Sequence, residues 1–293
     1  EEFKFNDNDL WCEDVPMRHV AEQFGTPLYV YSKGSVIDHC RWIETAFGDI
    51  DHLSCYAVKA NANRAILAAL VPEGIGADVG SIGELHLALE AGFPAGKITF
   101  SGVGKRDDEI EYALTNNILA VNAESTEEIG VISGIAARLH VTARVLLRVN
   151  FDIPSDTHPY ITTGRKHNKF GVPASRAMEI LAWMGTLPNV DIAGIHSHIG
   201  SQITKSDAFI AAAEALIGLV GTLRQGGIRI DQLNLGGGFG GQYRDFIAHP
   251  LLPTEVANPE ADVMSVKLLQ AMLPALRESR CRILIQPGRS IVA

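Results

Sequence analysis

Short apolar segments alternate with amphipathic helical segments along most of this sequence, and this alternation constrains the fold more than any other feature. The apolar segments have the length and composition of buried strands, and apolar residues recur on one face of each helical segment. Eight such repeats predict an α/β protein whose parallel strands close into a (β/α)8 barrel. The predicted strands span residues 53–58, 76–79, 98–101, 119–121, 145–149, 192–196, 232–235 and 283–285. The predicted helices between them span residues 82–91, 107–116, 126–137, 175–184, 208–224 and 263–278.

An open, doubly wound parallel sheet is the alternative arrangement for the same alternation. That fold typically carries the motif GxGxxG directly after its first strand, and no such motif follows residues 53–58. The barrel is therefore the preferred prediction. A helix predicted at 33–47, with Ser32 as its N-cap, is expected to complete the helical ring, because the sequence ends just after the eighth strand.

The chain is expected to divide into an N-terminal segment, 1–32, and a barrel, 33–293. Within the segment, the pattern predicts a short strand around Trp11, a short helix within 15–24 and a strand at 27–31. By the family resemblance described below, the segment is expected to pack against a further β-domain. The long loop 241–262 contains several prolines and is typical of a flap or an interface arm.

Composition argues against several classes of protein. The chain has 25 basic and 34 acidic residues, a net charge of −9 and no basic block, which argues against binding to nucleic acid or to an anionic membrane surface. No apolar run reaches the ~18 residues of a membrane span, and the acidic N-terminus is unlike a secretory signal. The four cysteines lie far apart, as expected for thiols of a reducing cytosol, so the sequence predicts a cytoplasmic protein.

Lys59 follows the first predicted barrel strand, so it is expected at the carboxyl end of that strand, where active sites of such barrels lie. If it is held desolvated in a site, a lysine amine loses its proton more easily, which makes it a carbonyl nucleophile that forms Schiff bases. A solvated lysine at a strand end is the commoner arrangement for a residue considered alone. The assignment therefore depends on the other residues at the same end of the barrel.

Further polar residues fall at the carboxyl ends of the other predicted strands. Gly236, Gly237 and Gly238 follow the seventh strand, and a triple glycine allows backbone N–H groups to converge on an anion. Ser201 follows the sixth strand and Gly288-Arg289 the eighth, so three adjacent loops offer anion donors. A phosphate site facing a strand-end lysine predicts a phosphorylated aldehyde cofactor, pyridoxal 5'-phosphate. The other strand-end polar residues are Asp78, Ser81, Glu84, Arg148, Asn150, Gln202 and Gln286.

His196 and His198 share one face of the sixth strand. For either histidine alone, a hydrogen-bonded buried side chain is the commoner arrangement. A metal pair is the second interpretation, but no carboxylate in the sequence is an evident third ligand. An imidazole stacked on the cofactor ring fits the surrounding pattern better.

Several motifs together resemble the fold type III pyridoxal-phosphate decarboxylases, which share an alanine racemase-like barrel. Residues 157–164 and 168–171 resemble diaminopimelate decarboxylases more than ornithine or arginine decarboxylases. The resemblance covers nearly the whole chain in collinear order. The motifs that carry it are Tyr56-Ala57-Val58-Lys59-Ala60-Asn61, Gly76-Ala77-Asp78-Val79, Ser101-Gly102-Val103-Gly104-Lys105, His198-Ile199-Gly200-Ser201-Gln202, Gly236-Gly237-Gly238 and Pro287-Gly288-Arg289.

The resemblance implies a role for each matched residue. Lys59 would be the catalytic residue that holds the cofactor as a Schiff base, His198 would stack on the pyridine ring, and Arg289 would also reach the substrate. No metal ligand is expected. The cofactor-binding residues implied by the resemblance are Lys59, Asp78, Glu84, Arg148, His198, Ser201, Gly236, Gly237, Gly238, Gln286, Gly288 and Arg289.

The reaction implied is decarboxylation of meso-diaminopimelate to L-lysine and CO2 by a cytoplasmic homodimer that binds this small amino acid. The family's C-terminal β-domain, with its cysteine motif, is not expected within this sequence. The alternatives are a related decarboxylase or racemase with another substrate, and a cofactor-binding barrel with little or no catalysis. A metal-dependent barrel hydrolase is a more distant alternative.

Gln286 departs from the family pattern, which has glutamate at this position to pair with the pyridine nitrogen. That carboxylate keeps the ring protonated and so makes it an electron sink. Glutamine has the same shape but carries no charge. We therefore expect cofactor binding to persist and decarboxylation to be slower by about 10²–10³, the value of one strong electrostatic group.

Overall fold

A computed structural model of the chain describes residues 2–6, 8–153, 170–241 and 264–292. Eight parallel strands pair in chain order around the molecule, and the eighth, Arg282–Ile285, also pairs with the first, His52–Ala57, so the sheet closes into a barrel. The predicted (β/α)8 barrel is confirmed, with strand ends within two residues of the predictions. The strands are β1 (Phe3–Asn6), β2 (Asp9–Cys12), β3 (Val15–Pro16), β4 (His52–Ala57), β5 (Gly76–Val79), β6 (Ile98–Phe100), β7 (Ala120–Ala123), β8 (Ala143–Asn150), β9 (Val172–Pro173), β10 (Val190–His196), β11 (Gln232–Asn234) and β12 (Arg282–Ile285).

Helices surround the barrel, and several begin at the side-chain caps that the sequence supplies. Ser32 Oγ accepts a hydrogen bond from the Ser35 N–H at 2.9 Å, as predicted for the helix before the first barrel strand. That helix, Lys33–Ala46, contacts the helices Arg64–Leu70, Met264–Glu278 and Arg289–Val292 and so completes the helical ring. The helices are α1 (Met17–Phe24), α2 (Lys33–Ala46), α3 (Arg64–Leu70), α4 (Ile82–Ala91), α5 (Asp107–Thr115), α6 (Thr126–Leu139), α7 (Ala177–Met184), α8 (Ser206–Gln225), α9 (Met264–Glu278) and α10 (Arg289–Val292).

The interior of the barrel changes from apolar to polar along its axis. Alternate residues of each strand face the interior, and a separate buried cluster of seven apolar residues lies in or next to the barrel strands. The cluster consists of Leu53, Cys55, Leu119, Ala120, Leu146, Ala193 and Leu284. Nearer the carboxyl ends, buried polar side chains replace them, namely Asp78, Thr99, Asn122, Arg148, His196 and Asn234. The strand period therefore gathers polar groups at the end where the site was predicted.

The N-terminal segment forms a small antiparallel sheet of β1, β2 and β3, followed by α1. The strand predicted at 27–31 is wrong, because these residues form no strand within the described chain. A strand requires a partner for its backbone groups. Several apolar side chains of this segment are exposed, and Tyr29 is 93% exposed.

Helix α8 is long and apolar enough to cross a membrane by length and composition alone. It instead packs beside α9, and it buries Phe209, Leu216 and Leu223 among the core residues. Its apolar composition is thus accounted for by the core. The loop predicted at 241–262 lies outside the described residues except for Gly241, as does the motif at 157–164.

Candidate active site

A cavity of about 440 Å³ opens at the carboxyl ends of the barrel strands, within the size range of small-molecule sites. Residues from seven of the eight barrel strands or the loops after them line it. Ten of the twelve predicted site residues are among these lining residues. They are Lys59, Asp78, Arg148, His198, Ser201, Gly237, Gly238, Gln286, Gly288 and Arg289.

Lys59 lies in the single 3₁₀ turn Val58–Ala60 that directly follows β4. Its side chain lines the cavity, and the residue is exposed, in contrast to a desolvated lysine. Within the described chain, no hydrogen bond or ion pair engages its Nζ. The amine is therefore available to a carbonyl group that enters the cavity.

A hydrogen-bonded cluster of three strand ends lies on the buried side of the cavity. Asp78 Oδ1 accepts from Ser101 Oγ at 2.7 Å and from Thr99 Oγ1 at 2.8 Å. Gln286 Nε2 donates to the same oxygen at 2.7 Å. Burial raises the pKa of Asp78, while the Lys59 ammonium and these two hydroxyls oppose that rise.

The triple glycine after β11 allows the backbone to pass close to its neighbours. A Cβ on Gly237 would lie 2.1 Å from the Gln286 carbonyl oxygen. Gly238 has a φ of +102°, and a Cβ there would lie 2.1 Å from the Gly200 carbonyl oxygen. Glycine is therefore required at both positions, and the backbone itself forms this wall of the cavity.

His198 is fixed by the glycine loop. The Gly237 N–H donates to His198 Nδ1 at 3.2 Å, so Nδ1 acts as an acceptor and the ring is neutral. Burial, and then the positive charges of Arg148 and Lys59, hold the pKa of His198 well below its usual range. His198 thus offers the cavity an uncharged imidazole, which is compatible with the predicted stacking role.

His196 also lines the cavity, but neither of its ring nitrogens has a hydrogen-bond partner among the described residues. The hydrogen-bonded arrangement that is commoner for a lone histidine is therefore not found here. The described parts of the chain contain no cluster of three side chains suited to a metal ion, so the metal interpretation gains no support. Burial, followed by the charge of Arg148, holds the pKa of His196 well below its usual range.

Acid is expected to destabilise the fold through His196. Below about pH 6.5 the unfolded chain protonates this histidine while the folded chain does not, so the unfolded state binds more protons and the free energy of unfolding falls as pH decreases. Above that pH both states are neutral and the effect vanishes. His196→Gln should reduce the slope by up to about 1.4 kcal/mol per pH unit. Urea unfolding at pH 7, 6 and 5 measures it.

The control for this slope is His19→Gln, which changes an exposed histidine of α1 and should retain the parent slope. A His196→Gln protein with the parent slope would contradict the expected role of the buried imidazole. The comparison uses slopes, so a constant stability difference between variants does not disturb it.

Arg148 is held by a carboxylate that the sequence interpretation missed. Its Nη1 donates to Glu124 Oε1 at 2.7 Å, and both side chains are almost fully buried. The other Glu124 oxygen accepts from the Gly171 N–H at 2.9 Å. The Phe170 ring, which lines the cavity, lies 4.6 Å from the guanidinium carbon. Glu124 therefore positions both Arg148 and the chain that carries Phe170.

Glu124→Gln is expected to lower the free energy of unfolding by about 3 kcal/mol, because the Arg148 charge would remain buried without its carboxylate partner. Denaturant midpoints at unchanged m-value measure the loss. The control is Glu111→Gln, whose partner Arg138 is exposed, and for which we expect less than about 1 kcal/mol. Equal losses in the two variants would contradict a special role for the buried pair.

Two predicted site residues do not line the cavity. Glu84 Oε2 accepts from the Gly80 N–H at 2.7 Å and so fixes the loop after β5. Gly236 lies beneath the cavity wall, where its N–H donates to Asn234 Oδ1 at 2.8 Å. The lining residues that were not assigned a place in the site are Ala57, Ala60, Ser101, Gly102, Phe170 and Phe239.

Comparison with known proteins identifies the family of the chain that forms this cavity. The profile described as "Pyridoxal-dependent decarboxylase, pyridoxal binding domain" matches residues 33–293. The chain belongs to the pyridoxal-dependent decarboxylase family. The resemblance inferred from the motifs is thereby confirmed, as is pyridoxal phosphate as the cofactor of the matched domain.

The chain is similar to proteins named diaminopimelate decarboxylase. It is 41% identical to that of Vibrio cholerae over 98% of this chain and to that of Haemophilus influenzae over 99%. The Helicobacter pylori enzyme, solved in complex with L-lysine, shares 37% identity with a TM-score of 0.86 over 94% of this chain and 67% of its own. The chain spans about two thirds of the curated relatives, 66% and 67% of the two named here.

The cavity fits pyridoxal phosphate in both size and chemistry. A primary amine without a partner in the described chain suits the aldehyde. The glycine backbone, which a Cβ would obstruct, suits a phosphate that must approach N–H groups closely. The neutral face of His198 suits the flat ring.

Proposed function

We propose that the protein is a pyridoxal-phosphate-dependent decarboxylase that converts meso-diaminopimelate to L-lysine and CO2. The names and identities of the relatives described above support the substrate, as does the L-lysine bound to the Helicobacter pylori enzyme. The observation that carries the proposal is one cavity that contains the free amine of Lys59, the glycine backbone at Gly237 and Gly238, and the neutral His198.

In this proposal each residue has a separate task. The Lys59 amine would hold the cofactor by its aldehyde group. Backbone N–H groups of the glycine loops, with Ser201 and Arg289, bind the phosphate. When bound, pyridoxal phosphate supplies an electron sink for the pair of electrons left by departing CO2. His198 supports the ring by stacking and remains uncharged.

Arg148 and Arg289 give the cavity positive charge beside these neutral groups. Because a carboxylate substrate is an anion, the two guanidinium groups favour its entry. Glu124 keeps Arg148 from turning away. We assign Arg289 to the substrate as well as the phosphate, and Glu84 to the support of the loop beside Asp78.

The proposal includes a cytoplasmic homodimer that binds a small amino acid, with neither nucleic acid nor membrane as a partner. The net charge of −9 supports the last two points. We also propose that residues 1–32 pack against a β-domain outside this sequence. Exposed apolar side chains in this segment support that role, namely Phe3, Phe5, Val15, Phe24, Tyr29 and Tyr31.

A cofactor-binding barrel with little or no turnover is the second candidate, and Gln286 favours it. The side chain lines the cavity where the family has a charged partner for the ring nitrogen, and an amide supplies no charge. Cofactor bound at Lys59 without release of CO2 from any tested amino acid would support this second candidate.

The test is an absorbance spectrum of the purified protein with pyridoxal phosphate, before and after borohydride reduction, followed by peptide mapping. We expect a band near the visible edge that reduction fixes covalently on Lys59. Release of CO2 from meso-diaminopimelate, compared with ornithine, arginine and lysine, then tests the substrate. A folded protein without an adduct at Lys59 would overturn the proposed function.

A further inference from the structure

The hydrogen bonds around Gln286 carry an inference that rests on the proposed function and extends it to the protonation of the cofactor. The residue is 6% exposed and lines the cavity. Its Nε2 lies 2.7 Å from Asp78 Oδ1, 3.3 Å from Ser101 Oγ and 3.4 Å from Thr99 Oγ1. A neutral side chain is thus bonded, on one side only, to a buried carboxylate and two hydroxyls.

The protons of this cluster determine which way the amide faces. Both hydroxyls donate to Asp78 Oδ1, at 2.8 and 2.7 Å, so neither has a proton left for Gln286. The carboxylate can only accept. If the amide were reversed, its oxygen would face three acceptors. The amide nitrogen is therefore directed at Asp78, and the oxygen is left as the acceptor.

Gln286 Oε1 accepts no hydrogen bond among the described residues, since all three of the residue's side-chain hydrogen bonds involve Nε2. A group that enters the cavity beside this atom must donate to it. The ring nitrogen of pyridoxal phosphate lies para to the aldehyde carbon. With the aldehyde held at exposed Lys59, the ring nitrogen would point to the buried side of the cavity, where Asp78 and Gln286 lie. Only a protonated ring nitrogen can donate there.

We propose that Asp78 is a positioning residue that holds the Gln286 amide with its oxygen toward the cofactor, so that this chain selects the protonated pyridine ring without a charged partner at position 286. Asp78 acts through Gln286, because its hydrogen bond to Nε2 determines that the amide oxygen, and not the amide nitrogen, faces the pyridine ring. An amide free to turn would equally serve an unprotonated nitrogen by donating to it.

The test is a pH titration of the ¹⁵N resonance of ring-labelled pyridoxal phosphate bound to the protein, which reports ring protonation without turnover. We expect a protonated ring nitrogen in the parent at pH 7.5. In Asp78→Asn, the new amide can pair with the Gln286 amide whichever way the latter faces, so Gln286 is no longer held with its oxygen toward the ring. The titration midpoint should therefore fall by at least about one pH unit, which is the value of one hydrogen bond to a charged group. The titration midpoint should fall in the same way in Gln286→Leu, which removes the acceptor oxygen.

The matched control is Thr99→Val, which removes one buried hydroxyl of similar shape and leaves both Asp78 and Gln286 in place. We expect its midpoint to stay near that of the parent. Should Asp78→Asn not fold, the comparison of parent and Gln286→Leu decides the question.

The failures of the two proposals are distinguishable. An unprotonated ring in the parent at pH 7.5, or a parent-like midpoint in the folded Asp78→Asn or Gln286→Leu proteins, overturns the inference while the adduct at Lys59 leaves the proposed function intact. A protein that forms no adduct at Lys59 overturns both.

Discussion

Replacing Lys59 with alanine is expected to abolish covalent attachment of pyridoxal phosphate and to lower the decarboxylation rate by about 10⁴-fold, the upper range for one positioned proton-transfer group. In the proposed function, this amine would hold the cofactor and would be the group placed to exchange a proton with the substrate amino group. Its Nζ has no partner in the described chain, so its loss should leave no buried group unpaired. We therefore expect folding to be retained. The measurements are adduct mapping after borohydride, release of CO2, and the unfolding midpoint.

The control for this substitution is Lys97→Ala. Lys97 precedes β6 at the opposite end of the barrel, where its Nζ donates to the Gly74 carbonyl oxygen at 2.5 Å. This variant should form the adduct and retain the parent rate. A borohydride adduct that persists at another lysine in Lys59→Ala would contradict the assignment of the catalytic amine.

The barrel can be predicted from the sequence because the signals for its strands and helices are local and repeated. Each strand is short and apolar, each helix has one apolar face, and the alternation leaves few other topologies. The strand predicted at 27–31 shows that local composition alone is not sufficient to predict a strand. Its composition is that of a strand, but strand formation requires a neighbour, and none is present in the described chain.

The candidate site is predictable for the same reason, since parallel strands bring all their carboxyl ends to one edge. That rule led to Lys59, Asp78, Arg148 and His198, which line one cavity. Glu124 directly follows β7, and the rule applied to that strand would have found it.

The sequence pattern does not predict which distant residues form hydrogen bonds with each other. Gln286 and Asp78 are 208 positions apart, and their hydrogen bond depends on how β5 and β12 are placed around the closed barrel. The alternation that identifies an inward-facing residue does not reveal which inward-facing neighbour it meets. The orientation of the Gln286 amide therefore required coordinates, whereas its departure from the family pattern did not.

Gln286→Glu is expected to raise the decarboxylation rate by about 10²–10³-fold, because a carboxylate stabilises a protonated ring nitrogen more strongly than a neutral amide oxygen does. In the parent, the amide selects the protonated ring but contributes no charge. The rate of CO2 release from meso-diaminopimelate measures the gain. The control is Gln270→Glu, on the exposed side of α9, which adds the same charge outside the cavity and should leave the rate unchanged.

The same substitution is expected to destabilise the cofactor-free protein. A carboxylate at position 286 cannot donate a hydrogen bond to Asp78 Oδ1. In the parent protein this oxygen accepts a hydrogen bond from Gln286 Nε2 at 2.7 Å. Two buried carboxylates at this distance cannot both ionise readily, so the pKa of one rises in the folded state. The unfolded chain then binds fewer protons, and the free energy of unfolding falls, relative to the parent, as pH increases from about 4 toward that raised pKa.

Bound pyridoxal phosphate should reverse this loss of stability, since a protonated ring nitrogen supplies the missing positive partner. Unfolding of Gln286→Glu at pH 5 and pH 8, with and without the cofactor, therefore separates the two effects. We expect the cofactor to stabilise the variant more than the parent at pH 8. Equal stabilisation of both proteins, together with an unchanged rate, would mean that position 286 does not face the ring nitrogen.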